Sequence, residues 1–478
     1  DNQLREFAHR LAKTHVVVPV PARDVLEISR PIKNDLLDHL KIWELALRNA
    51  NAIFKSVPAN DAPVSRAGEW MLDNFYIVKQ TLRQIEEDLP ASFLNELPKL
   101  ESGHPRIFAL AREWVDYSQS QIDLTQTAIF AEDYQQVTPL TIGELWALPI
   151  MLRIGILERL VYAVAELTGI DVPKGLSEIP SQFASTAPTN ETIVANCFLS
   201  LRLLSATDWK DFFEQTSRVE KILSDDPAQI YGGMDFDTRN SYRSVVEELA
   251  RHSNFSEEQV ALTAVEFARN VEDKDIVRLR QTHVGFYLID AGRVTLEASL
   301  RYQPGLNLRI RRALLAAPTA TYLGSIAILT VLFVLGLLIY TKFSGGSLAQ
   351  LILVGVLGLG LALEAAITLV HWNVTHRIKP QSLPRMDFSE GIPLGNRTMV
   401  VVPTLLESAE ELNHLLQELE LYYLSNPDPQ LTYALLTDFG DAVAEDMPED
   451  EELLALASLG IEDLNKKYLH QAAPFYLF

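Results

Sequence analysis

Residues 313–343 read ALLAAPTATYLGSIAILTVLFVLGLLIYTKF, and residues 344–363 continue SGGSLAQLILVGVLGLGLAL. The first stretch carries one charge, Lys342, near its end, and the second carries none. Roughly 20 apolar residues suffice to cross the hydrocarbon core of a bilayer, and each stretch reaches that length. The pattern predicts two spans, about 320–341 and 347–369, forming a transmembrane hairpin over 319–371 that turns at Gly345-Gly346. Arg309, Arg311 and Arg312 precede the hairpin, Arg377, Lys379 and Arg385 follow it, and the turn holds only Lys342. Arginine and lysine concentrate on the cytoplasmic side. Both flanks are therefore expected in the cytoplasm, with the turn outside. Glu364 is expected near the inner end of the second span. A carboxylate deep in lipid is costly and often functional, whereas one near the interface reaches water or a basic flank.

The 478 residues leave room for about three domains. A net charge of −22 argues against a nucleic-acid ligand, which calls for basic patches. The single cysteine, Cys197, excludes an intramolecular disulfide framework. It sits in the apolar run IVANCFLSLRLL and is expected to be a buried, inert thiol. A reducing compartment fits. The opening DNQLREFAHR has neither an initiator methionine nor a secretory pattern and reads as a cut end.

Residues 1–312 read as an all-α cytoplasmic region. RAGEWMLDNFYIVKQTLRQIEEDLP places Arg66, Trp70, Asp73 and Ile77 on one helical stripe, which suggests a buried ion pair between helices. Thr141 and Glu144, and Ser256 and Gln259, have the spacing of capping boxes. His283, alone in THVGFYLI, is expected to be a satisfied core histidine. No HExxH, CxxC pair or paired-histidine spacing supports a metal site.

Residues 387–478 change character. Thr398–Val402 is a continuous β-rich run, expected to be a strand buried on both faces and ended by Pro403 and Thr404. Ser408 and Glu411 predict a capping box for a helix whose Leu412, Leu416, Leu419 and Tyr423 share a stripe. Leu431–Leu436 predicts a second strand, ending in Thr437-Asp438-Phe439-Gly440-Asp441. Together these form a βαβ unit with a parallel pair. The acidic run after Asp441 leads into a helix with Leu453, Leu454 and Leu456 at apolar spacing, and PFYLF begins a third strand. Ligands of such sheets bind beyond the carboxyl ends of the strands, which puts Thr404 and Asp438 at one lip. A carboxylate there can accept hydrogen bonds from a uracil N–H or a ribose hydroxyl. Periodicity alone leaves open an ordinary βαβ turn with Asp438 as a helix cap.

SLPRMDFSEGIP, RTMVVVPTLLESAEEL and YYLSNPDPQLTYALLTDFGDA, in this order, resemble the cyclic β-1,2-glucan synthase family of bacterial inner membranes. RAGEWMLDNFYIVKQTLRQIEEDLP, ELPKL, PLTIGELWALPIMLR and HVGFYLIDAGR look like the N-terminal region of the same family. The resemblance implies a multidomain protein: a helical region, the hairpin, and the start of an incomplete GT-A-type α/β glycosyltransferase domain. It implies processive glucosyl transfer from UDP-glucose, with Mg²⁺ or Mn²⁺ in the full-length enzyme and none bound to this part. It further implies additional transmembrane helices, a phosphorylase-like domain and a glucan carried on the protein. The positions matching an early donor-nucleotide site are Pro403, Thr404 and Asp438, with Asp441 nearby. No catalytic residue or metal ligand of such a site can be placed before Phe478, so this stretch is expected to be inactive alone. Tyr422 and Tyr423 are candidates for the glucan carrier, because a hydroxyl beside the donor is a chemically sensible acceptor.

Two other classes are weighed against this reading. A membrane-anchored signalling protein with a receiver-like C-terminal unit would want an acidic pair after the first strand, and this strand ends Val-Pro-Thr. A structural anchor would use the helical region as a docking surface.

Overall fold

A computed structural model of the chain describes residues 2–18, 35–56, 62–172, 188–271, 279–378, 380, 383–440, 447, 449–468 and 474–478. It is mostly helical, with a small parallel sheet. Two compact units result: Asp1–Gly232 with Phe236–Leu383, and Gly233–Asp235 with Pro384–Phe478.

The first unit begins with α1 (Asn2–Thr14), α2 (Asp35–Ser56), α3 (Ala62–Asp88), α4 (Ala91–Glu96), α5 (Arg106–Tyr117), α6 (Leu124–Gln135) and α7 (Ile142–Thr168). It continues with α8 (Asn190–Ala206), α9 (Trp209–Thr216), α10 (Arg218–Ser224), α11 (Phe236–Arg251) and α12 (Glu257–Arg269). After α13 (Val284–Leu288), α14 (Arg293–Ser299) and α15 (Leu306–Ala316) come the two long apolar helices, α16 (Pro318–Phe343) and α17 (Leu348–Arg377).

Helix α7 is the core of the helical region. Apolar residues ring it, and α2, α3, α5 and α8 pack around it. It starts at the expected capping box, with Thr141 accepting from Glu144 N–H and Glu144 accepting from Thr141 N–H. It runs on through Pro149 and stops at Gly169, whose φ of 73° suits glycine. The Ser256–Gln259 box forms on α12 as well. Cys197 is fully buried on α8, and burial pushes its thiol up to about 12. His283 is satisfied: Nδ1 lies 2.7 Å from Asp226 Oδ2, and Nε2 lies 3.3 Å from the Tyr242 hydroxyl.

The expected ion-pair stripe on α3 is corrected. Ile77 is buried, but Arg66 and Asp73 are exposed. The buried pairs lie elsewhere. Arg106, the first residue of α5, grips Glu144 with Nε and Nη2. Glu220 on α10 collects Arg239, Arg243 and the Tyr231 hydroxyl. Both pairs join residues far apart in sequence, which helical periodicity within one segment does not report.

His15, at the end of α1, is buried against the Tyr134 hydroxyl. Burial, aided by the Arg106 guanidinium, pushes its imidazole down to about 4. The folded state thus holds it neutral where the unfolded chain would protonate it. This contribution is present above pH 6.5 and is lost as pH falls towards 4, an effect of about 3 kcal/mol. Unfolding free energies measured across pH 4 to 7 should fall less steeply for His15→Gln than for the native protein. Equal slopes would remove His15 as a source.

The hairpin forms as expected. α16 and α17 pack along Gly358, Ala362, Ala366 and Val370, a seam of mostly small residues four apart that lets the helices approach. A Cβ at Gly358 would stand 2.8 Å from Leu337 Cδ1. Most other apolar side chains, such as Leu332, Val356 and Leu361, are exposed, unlike those of the core helices of a soluble fold. Tyr322 stacks on His371 and bonds its Nε2, next to exposed Trp372, while Tyr340 marks the other end. From Tyr322 to Tyr340 the helix rises about 27 Å, and aromatic residues favour the two membrane interfaces. Helix α17 continues to Arg377, past the predicted end. Glu364 is exposed and lies about two turns before His371.

The second unit is a parallel sheet in the order β1-β2-β3, from β1 (Thr398–Leu406), β2 (Leu431–Phe439) and β3 (Phe475–Leu477). Helices α18 (Ala409–Ser425) and α19 (Asp450–Lys467) connect them. The core holds Leu406, Leu412, Leu419, Tyr433, Leu435, Ala457, Ile461, Leu464 and Phe475. On α18 the stripe Leu412, Leu416, Leu419 and Tyr423 is the inward one, as expected. On α19 the inward stripe is instead Leu453, Ala457, Ile461 and Leu464, while Leu454 and Leu456 are exposed.

Two expectations for β1 and one for the cap of α18 are corrected. It is not buried on both faces: Met399, Val400, Val401 and Leu405 are exposed, because β1 is an edge strand with helices on one face of the sheet. Pro403 and Thr404 do not end it, since pairing continues to Leu406 and Phe439. Proline is tolerated on an edge, where its missing N–H need not serve a further strand. Ser408 accepts from Glu411 N–H at 3.2 Å, which is half of the predicted box.

Candidate functional site

The register aligns Thr404 with Thr437 and Leu405 with Asp438, so both expected site residues stand at the carboxyl edge of adjacent strands. Side chains alternate along a strand and match across a parallel rung. Thr404 therefore shares the helix-covered face with Thr437, while Asp438 shares the open face with Pro403 and Leu405. The edge brings the two together and the faces separate them. Sequence separation could place both at strand ends but could not fix the rung.

Thr404 is half-buried, and its hydroxyl donates to Leu405 O at 3.3 Å. Asp438 is exposed, and Oδ1 accepts from Phe439 N–H at 2.9 Å. That bond orients one carboxylate oxygen towards its own backbone. Thr437 donates to Phe478 O at 2.9 Å, tying β2 to the segment after β3. Asp441 lies outside the described residues.

Among the described residues, Glu407 is a further carboxylate at this edge. Glu407 lies over Gly440, its Oε1 3.8 Å from where a Cβ would be. The signal was present in the sequence as an acid just past the first strand. It was obscured because the strand was expected to stop at Thr404.

The two tyrosines separate. Tyr423 packs into the core, its ring 4.8 Å from Tyr468 and 5.2 Å from Phe475. Tyr422 is exposed on the other side of α18, and its carbonyl accepts from the Tyr433 hydroxyl.

No protein-family model matches the chain. It is similar to the cyclic beta-(1,2)-glucan synthase NdvB of Rhizobium meliloti (strain 1021), 28% identical over 484 residues and covering 86% of this chain. The match supports the family resemblance. The chain spans 17% of the length of that synthase. The matched share of the chain is larger than either unit taken singly, so the match reaches into both. Two helices long and apolar enough to cross a membrane support a membrane location.

Proposed function

We propose that the chain is part of a membrane-bound, processive glucosyltransferase that builds cyclic β-1,2-glucan from UDP-glucose. The observation that carries this reading is the similarity to a cyclic glucan synthase over 86% of the chain. The parallel βαβ arrangement supports a GT-A-type donor domain, because such sheets gather ligands at their carboxyl edge. The positive flanks of the hairpin favour a location in a bacterial inner membrane with both flanks cytoplasmic, where nucleotide sugars are available.

In this reading the uridine lies across the edge of β1 and β2. Asp438 accepts from the uracil N–H or a ribose hydroxyl, and Pro403 walls the same face. Thr404 lines the edge from the opposite face. Among the described residues no group of three or more His, Cys, Asp or Glu side chains could hold a metal ion, and the residue paired with Asp438 is Leu405. These residues do not form a Mg²⁺ or Mn²⁺ site, and no step passes through one here. The chemistry assigned to this sheet edge is donor binding. Of the two tyrosines, Tyr422 is the accessible candidate for a glucan carrier.

Calorimetry on the protein in membranes tests the donor site. UDP-glucose should bind the native protein, and Asp438→Ala should weaken binding about tenfold, the worth of one charge-assisted hydrogen bond. Equal affinities would remove Asp438 from the site.

A further inference from the structure

We propose that α15, the helix just before the hairpin, lies in the interfacial layer of the bilayer and holds the helical region against anionic headgroups. Leu306, Ile310 and Leu314 follow at spacing of four and are 60%, 50% and 50% exposed. Residues four apart fall on one helical face, so this is a continuous apolar stripe at least half exposed among the described residues. Arg309 and Arg311 flank the stripe on either side and are exposed. Among the described residues, Arg311 makes no ion pair, and Arg309 bonds only the Pro304 carbonyl.

The other side of α15 faces protein. Arg312 grips Glu297 on α14 with both Nη atoms and stands over the Tyr302 ring, and Leu308 is half-buried beside it. The cation that serves the fold is thus separated from the two that, among the described residues, stand at the stripe without an ion pair. An exposed apolar face edged by arginines is the pattern of a helix lying in a membrane interface, with its apolar side sunk below the headgroups. Arginine stems can follow the apolar surface while their heads reach phosphate.

Continuity with the hairpin decides the partner. Ala317 leaves helical geometry at φ −131° and ψ 68°, and Pro318 starts α16. The break lets the chain change direction between α15 and the first span. Tyr322, one turn into α16, stands at the aromatic level with His371 and Trp372. The stripe therefore begins where the hydrocarbon is expected to end. A protein partner would not require this coincidence.

The test uses the chain reconstituted in vesicles and a fluorescent, environment-sensitive maleimide. Cys197 is fully buried, so single introduced cysteines label cleanly. Ile310→Cys is compared with Leu335→Cys, exposed about two-thirds of the way along α16, and Glu101→Cys, exposed in the α4–α5 loop. In vesicles containing phosphatidylglycerol, the probe at 310 should be blue-shifted. Lipids brominated near the headgroup should quench it about half as strongly as deep bromines quench the probe at 335, as expected of a helix sunk to the headgroup boundary. Neutral phosphatidylcholine vesicles, or the double variant Arg309→Gln/Arg311→Gln, should weaken that quenching.

A water-like, unquenched probe at 310 overturns the proposal. A blue-shifted probe that bromines do not reach also overturns it, because protein would then cover the stripe. An unquenched probe at 335 removes the bilayer, and the proposal with it. None of these readouts depends on nucleotide-sugar binding, so they stand apart from the fate of the donor site.

Discussion

Glu220→Gln is expected to destabilise the helical region by about 3 to 5 kcal/mol, because it leaves a buried guanidinium without its counter-charge. Arg243 is fully buried, and its Nη1 donates to Glu220 Oε2. Arg239 donates to Oε1 at 2.6 Å, and the Tyr231 hydroxyl donates to Oε2 at 2.7 Å. One carboxylate thus serves three donors. Arg239 keeps a second partner in Glu214, and Arg243 keeps the Phe213 and Phe236 rings at 4.9 and 4.8 Å. Those contacts soften the loss but do not neutralise the charge. Burial and the neighbouring Glu220 together push the Tyr231 hydroxyl far up, so it stays a donor throughout the working range. Thermal unfolding in detergent should show a large drop in the midpoint. The double variant Glu220→Leu/Arg243→Met should be less damaged than the single one, since it removes the stranded charge along with its partner. If the single variant is the milder of the two, the desolvation argument fails.

Arg106→Leu should cost a comparable amount, about 3 to 5 kcal/mol, for a related reason. Glu144 is fully buried at the third position of α7, where it also accepts from Thr141 N–H at 2.9 Å to close the capping box. Arg106 Nε reaches Glu144 Oε1 at 2.8 Å, and Nη2 bonds both Oε2 and Pro139 O. Removing the guanidinium leaves a buried carboxylate held by the backbone N–H and hydroxyl of Thr141 at the helix N-terminus. Arg106→Lys should recover part of the loss but not all, because an ammonium cannot form the two-pronged contact. Full recovery by lysine would show that charge alone matters. Hydrogen exchange at the start of α7 should rise in Arg106→Leu before exchange at the hairpin changes, because the cap and the pair fail together.

The elements that could be read from the chain are those whose cause is local. Two long apolar runs, caps such as Thr141 with Glu144, and the stripe of Leu412, Leu416 and Leu419 depend on neighbours within a few turns. The misreadings share another cause. Arg66 and Asp73 matched a packed stripe and proved exposed, because spacing says which residues share a face but not which face is covered. On α19, Leu454 and Leu456 lost to Ala457 and Ile461 for the same reason.

β1 makes the point for the candidate site. Its unbroken apolar run looked central, yet it lies at the edge of a sheet covered on one side. Its length and rung set the face of Thr404 relative to Asp438, and both come from pairing with β2. The amino-acid order alone determined that this protein carries a two-helix apolar hairpin between a helical region and a βαβ unit, because hydropathy and periodicity act along the chain. Only the tertiary structure decided which ionic partners are buried, which sheet face is open and that α15 presents an exposed apolar stripe. Those follow from contacts between segments distant in sequence, which no local pattern encodes.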